Sequence, residues 1–169
     1  GGFHAAFPMG DPSRVGEARR HAAMLAAECG LDETAAGRLA IVVTELATNL
    51  IKHARQGRLL VSGRPARCEV EVLAIDEGPG IADIERALSD GFSTTGTAGT
   101  GLGAVRRLAQ HFDLHSGRDG TVVVAQVRGA GAPARACAAR AGPASSRLAG
   151  TIAHCASNAT SIGRERRRA

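Results

Sequence analysis

The stretch LAIVVTELATNLIKHA, Leu39 to Ala54, carries two patterns at once. Leu39, Val42, Val43, Leu46 and Leu50 recur at i, i+3, i+4, i+7 and i+11, the spacing of a buried helical stripe. Beside that stripe Glu45, Asn49 and Lys52 fall within roughly 60° of one another, so the polar residues have a face of their own. Glu45 and Asn49 are one turn apart, a rise of about 6 Å, which lets both act on one ligand. A helix with one apolar stripe needs a layer to pack on, and the flanking sequence predicts a sheet.

Upstream, Asp32 opens this helix, and Asp11-Pro12-Ser13 opens an earlier one in which Val15, Ala18, Ala22 and Leu25 keep helical spacing until Gly30. Downstream, Arg58 to Gly63 and Arg67 to Asp76 read as strands, the second alternating with Cys68, Val70, Val72 and Ala74 on one side. The turn DEGPG, Asp76 to Gly80, ends that strand. Ile81 to Ser89 has helical character, Gly91 to Gly101 is too rich in Gly and Thr to be regular, and Leu102 to Gln110 is helical again. His111 to His115 and Thr121 to Val127 read as strands around a Gly-rich turn. Early helices, later strands and few crossovers predict an α/β fold of the α+β two-layer kind: one mixed, mostly antiparallel sheet with helices on one face.

The 169 residues suggest one domain, and 44% hydrophobic content without Trp or Tyr suggests a small aliphatic core. Charge is unevenly placed. Residues 1–130 hold 14 basic and 15 acidic side chains, a net −1, whereas residues 131–169 hold 7 Arg and 1 Glu, a net +6. The basic balance therefore belongs to the tail, and nothing basic in residues 1–130 asks for nucleic acid. From about Gly129 the pattern dissolves into Ala, Gly, Pro, Ser and Arg, which reads as a disordered or truncated tail, with a basic binding arm as the alternative. The opening Gly-Gly without Met fits a fragment of a longer chain. Cys29, Cys68, Cys137 and Cys155 lack CxxC spacing, so neither a zinc site nor a redox pair is expected, and free thiols fit a reducing cytosol. No apolar run approaches the ~18 residues of a membrane span and no leader is recognisable, so a soluble, cytoplasmic protein without membrane contact is expected.

A carboxylate on a helix is commonly a solvated charge, but Glu45 has neighbours with a use. Phosphoryl transfer needs a group that orients or deprotonates the attacking hydroxyl and a hard oxygen ligand for magnesium, roles that suit Glu45 and the Asn49 amide oxygen. Lys52 or His53, one turn on, either approaches a phosphate or is a surface residue lying over the sheet edge. Asp76 closes an apolar strand, where a carboxylate needs donors. The exocyclic amine of adenine is one, while guanine presents an acceptor at that position. Gly78 and Gly80 allow a tight turn against a flat base, although DEGPG alone is also an ordinary turn. Gly96, Gly99, Gly101 and Gly103 lead into a helix and expose N–H groups suited to phosphate, the other reading being plain flexibility. Neither a Walker loop nor a dinucleotide GxGxxG fits. Hydroxyls at Ser93, Thr94, Thr95, Thr97 and Thr100 suit a lid.

TELATNLIKHA (Thr44 to Ala54), DEGPGI (Asp76 to Ile81) and GFSTTGTAGTGLGAVRRL (Gly91 to Leu108) resemble, in order, the N box and two glycine boxes of the GHKL ATPase superfamily. Within it they are similar to the anti-sigma-factor serine/threonine kinases of bacterial partner-switching systems, the RsbT- and RsbW-like switch kinases, over about residues 3–128. Related domains also occur fused ahead of SpoIIE-like phosphatases. The resemblance implies a Bergerat-type sandwich that binds ATP and Mg2+ and phosphorylates a STAS-domain antagonist protein, with a sigma factor as a further partner and a homodimer as a plausible assembly. It implies Glu45 as general base, Asn49 as magnesium ligand and Asp76 as adenine reader. Gly78, Gly80, Gly99, Gly101 and Gly103 become nucleotide-binding glycines, and Lys52, His53, Ile81, Thr95, Thr100, Leu102 and Thr121 further nucleotide contacts. The alternatives are a non-catalytic ATP-binding module that sequesters a sigma factor or STAS protein, and a regulatory domain detached from a phosphatase.

Overall fold

Asp32 caps the helix that the apolar stripe predicts, its Oδ1 accepting from the Ala35 N–H at 2.9 Å. A computed structural model describes residues 3–89 and 101–130 of the chain. The helix, α2 (Glu33–His53), buries Leu39, Val42, Val43, Leu46 and Leu50 as expected, together with Ala35 and Ala47. Each fully buried aliphatic side chain of this size contributes about 1.5–3 kcal/mol over leaving it in water, so this stripe anchors the helical layer. By length and composition alone α2 could cross a membrane, an outcome the sequence reading did not anticipate. Here its apolar stripe is taken up by the core.

The preceding helix, α1 (Ser13–Glu28), buries Ala18, Ala22, Leu25 and Ala26. Its start is held by Asp11, whose Oδ1 accepts from the Ser13 N–H at 2.7 Å. The strands are β1 (Phe3–Pro8), β2 (Arg58–Arg64), β3 (Glu69–Asp76), β4 (His111–Gly117) and β5 (Gly120–Arg128), in spatial order β1-β2-β3-β5-β4. The sheet is mostly antiparallel as predicted, and every pairing among the described residues is antiparallel. Two short helices, α3 (Ile84–Leu88) and α4 (Leu102–Leu108), lie between β3 and β4 in the chain.

The sheet residues of the core alternate: Leu59 and Val61, Val70, Val72 and Ala74, and Val123, Ala125 and Val127 all join the cluster formed by α1 and α2. The helices therefore cover one face. The register puts the residues between them on the other, where a charged network closes one end of the sheet. Glu69, fully buried, binds Arg64 at 2.9 Å and also Arg128, while Glu71 binds Arg64 at 2.8 Å and accepts from the Gln126 side chain at 2.6 Å.

Several boundaries differ from the sequence reading. β1 was not expected; it is short, carries two alanines and ends in Pro8, a composition confined to sheet edges. β3 begins at Glu69 rather than Arg67, because Pro65–Arg67 form a 3-10 turn closed by Cys68 at φ +47°. Cys68 therefore lies outside the strand. The helix expected from Ile81 begins only at Ile84, where the Asp83 side chain accepts from the Arg86 N–H at 2.9 Å and sets the start. The chain divides into units Gly1–Ala132 and Pro133–Ala169, and the tail beyond residue 130 lies outside the described residues.

Candidate functional site

Glu45 and Asn49 stand half-buried on one face of α2, one turn apart, where the unbroken helix must place them. The Gly101 backbone N–H at the head of α4 lies near enough to the Glu45 carboxylate to stabilise its charged form. Burial pushes the Glu45 carboxyl above its ordinary value, while the Lys52 charge and the Gly101 N–H pull against that shift. The N box and the end of the second glycine box thus come together at the acid. Lys52 and His53 are exposed in the last turn of α2.

The DEGPG turn closes against the same end of α2. The Glu77 N–H donates to the Arg55 carbonyl at 3.0 Å, just past the helix. Asp76, half-buried at the end of β3, uses Oδ1 to accept from the Gly78 N–H at 2.6 Å. That is the Asx-type bond an ordinary turn would also make, and it leaves the second carboxylate oxygen for a ligand. Gly80 has φ +83°, and a Cβ there would lie 2.4 Å from the Gly117 carbonyl oxygen. The glycine is therefore required by close backbone approach as well as by conformation.

What meets the turn is the β4–β5 hairpin, which sequence reasoning left as a generic Gly-rich turn. Asp76 pairs with Thr121, and Thr121 with Ser116, so the three form one row across β3, β5 and β4. Their alternation puts all three on the helix-covered face. Thr121 is buried. Ser116 Oγ lies 2.8 Å from Thr121 Oγ1 and accepts from the Ile81 N–H at 2.7 Å. Ser116 was missed because a serine next to a Gly-rich turn is commonplace; the only signal was its place beside Gly117 in the hairpin facing Thr121.

Of the other expected site residues, Ile81 is half-buried through this contact, Leu102 packs against the core and Gly103 is buried at the start of α4. Thr95, Gly99 and Thr100, with the other hydroxyls of the expected lid, lie outside the described residues. Glu45, Gly101 and Asp76 through Ile81, with Thr121, therefore gather around the C-terminal half of α2 and the adjoining end of the sheet. For a metal the donor chemistry fits: the Asn49 amide offers a neutral hard oxygen, and Mg2+ takes few protein ligands when phosphates and water supply the rest.

Comparison with known proteins bears on this arrangement. Residues 9–127 match the family model described as histidine kinase-like ATPase domain. Over 101 residues, 59% of this chain and 76% of the relative, the sequence is 36% identical to the serine/threonine-protein kinase RsbT of Bacillus subtilis. Among solved structures, the RsbU and RsbW domains of a Mycobacterium tuberculosis protein superpose with a TM-score of 0.53 at 16% identity. That match covers 76% of this chain but only 32% of the other, so it speaks for the fold alone.

Proposed function

The chain belongs to the histidine kinase-like ATPase domain family, and from that premise we propose that it is an ATP-dependent protein-serine/threonine kinase of a partner-switching system. Its substrate is a serine or threonine on a STAS-domain protein. The observation that carries the proposal is Glu45: a half-buried acid on α2 with its pKa pushed up by burial, one turn from Asn49 and beside the Gly101 N–H. Nucleotide binding alone needs no such acid, whereas transfer to a hydroxyl does. The similarity to a serine/threonine kinase over three quarters of that protein supports the same reading.

In this reading Asp76 accepts from the adenine amine, Asn49 is the protein's ligand to Mg2+, and the N–H groups at the head of α4 face the phosphates. Bound Mg2+ would neutralise charge building on the phosphate oxygens. Glu45 orients the partner's hydroxyl and takes its proton as the oxygen forms its bond to the γ-phosphorus. The bond from that phosphorus to the β–γ bridging oxygen breaks, and ADP leaves. A carboxyl pKa nearer to neutrality makes Glu45 a stronger base than an ordinary glutamate. A cytoplasmic setting and a sigma factor as this chain's further partner complete the proposal.

The test is transfer of radiolabel from the γ-position of ATP to STAS-domain proteins encoded in the same genome, with the acceptor located by mass spectrometry. Label on one serine or threonine, absent with Glu45→Ala although that variant still binds ATP, is the expected result. Tight complex formation with a STAS protein and no label would overturn the kinase reading in favour of a sequestering module.

A further inference from the structure

Resting on the nucleotide site just proposed, we infer that Ser116 is a positioning residue for base recognition: it fixes the direction of the Thr121 hydroxyl. The geometry consists of three contacts. Asp76 and Thr121 are directly paired across β3 and β5, Thr121 and Ser116 across β5 and β4, and Ser116 Oγ accepts the Ile81 N–H at 2.7 Å. A serine hydroxyl has one proton and two lone pairs. The Ile81 N–H occupies one lone pair.

The 2.8 Å contact between Ser116 Oγ and Thr121 Oγ1 needs one proton, and either hydroxyl could supply it. The two directions have opposite consequences for a base. If Thr121 donates to Ser116, its proton is consumed and it can only accept from a ligand. If Ser116 donates, Thr121 keeps its proton and can donate. Accepting the Ile81 N–H polarises the Ser116 O–H and makes it the better donor, so the second direction is favoured. Thr121 then presents a donor beside the Asp76 acceptor.

That pair complements one purine edge. Adenine offers a donor at its 6-amine and an acceptor at N1; guanine offers an acceptor at O6 and a donor at N1. Asp76 alone already prefers the amine. Ser116 adds discrimination at N1 without touching the nucleotide, and through Ile81 it locks the glycine turn to the same hairpin.

The experiment compares Mg·ATP with Mg·1-deaza-ATP, which keeps the amine but lacks the N1 acceptor, by calorimetric titration into the full chain. Wild type should favour ATP by about tenfold, the worth of one hydrogen bond. Ser116→Ala should bring that preference below about threefold, because Thr121 loses its donor and the orientation of its proton, and Ser116→Thr, which keeps the hydroxyl, should restore it. A merely structural role would weaken both nucleotides equally and keep the ratio; that result, or a wild type indifferent to N1, overturns the inference while leaving the ATP site standing. A wild type that binds neither nucleotide overturns the site itself.

Discussion

Alanine at Gly120 and alanine at Gly37 should move stability in opposite directions, and the structure gives the size of each effect. Gly120 opens β5 at φ +136°, and a Cβ there would sit 2.0 Å from the Asp76 carbonyl oxygen and 3.1 Å from its carbon. Both atoms are backbone, so no flexible side chain can yield. The backbone conformation costs a non-glycine residue about 1–3 kcal/mol, and forcing β5 away from β3 adds an overpacking term of about 1–3 kcal/mol. Gly37 lies exposed inside α2, and a Cβ there meets nothing within 4 Å. Alanine in a helix interior gains about 0.5–1 kcal/mol over glycine. Urea unfolding followed by circular dichroism measures both, with unchanged m-values as the control for two-state behaviour. Because the displaced pair is Asp76↔Thr121, Gly120→Ala should also weaken Mg·ATP binding, whereas Gly37→Ala should leave it alone. A Gly120→Ala protein as stable as wild type would refute the close approach of the hairpin to the glycine turn.

The Glu45 carboxyl, raised by burial, should give phosphoryl transfer an acidic limb centred above the usual glutamate value, removed in Glu45→Gln along with the activity; a limb at the ordinary value would contradict the desolvated acid. The same shift has a stability sign: a carboxyl with a raised folded pKa disfavours the fold as pH rises through that pKa, so Glu45→Gln should be the more stable protein above it, read from urea midpoints across pH. Arg64→Ala should lower unfolding free energy by about 3 kcal/mol, since buried Glu69 loses one of its two cations. Its Mg·ATP affinity should not change, because the network lies on the sheet face turned away from α2.

What could be read without coordinates was what repeats over several turns or strands. The α2 stripe has five members at helical spacing, and all five are buried; no local irregularity could hide that period. β1 had six residues and no partner visible nearby, since its pairing to β2 joins Phe3 to Gly63 across sixty residues of chain. The end of the Pro65–Arg67 turn reads as strand because Arg67 and Cys68 continue the apparent alternation, and only the positive φ of Cys68 ends it. Motifs supplied Glu45, Asn49 and Asp76, and α2 and the turn bring their elements to one end of the sheet. Ser116 escaped for a different reason: its partners are Ile81 and Thr121, and no pattern local to residues 111–117 reports a bond to a turn thirty-five residues earlier.

A live ATP site on the face of α2 stands or falls with calorimetric titration of Mg·ATP into the full chain, with Mg·GTP and the Asn49→Ala variant as controls. ATP should bind saturably and in preference to GTP, with an affinity that falls at least tenfold in the variant, about the loss of one well-placed polar ligand. Equal binding of the two nucleotides, or ATP affinity unaltered by Asn49→Ala, would contradict it.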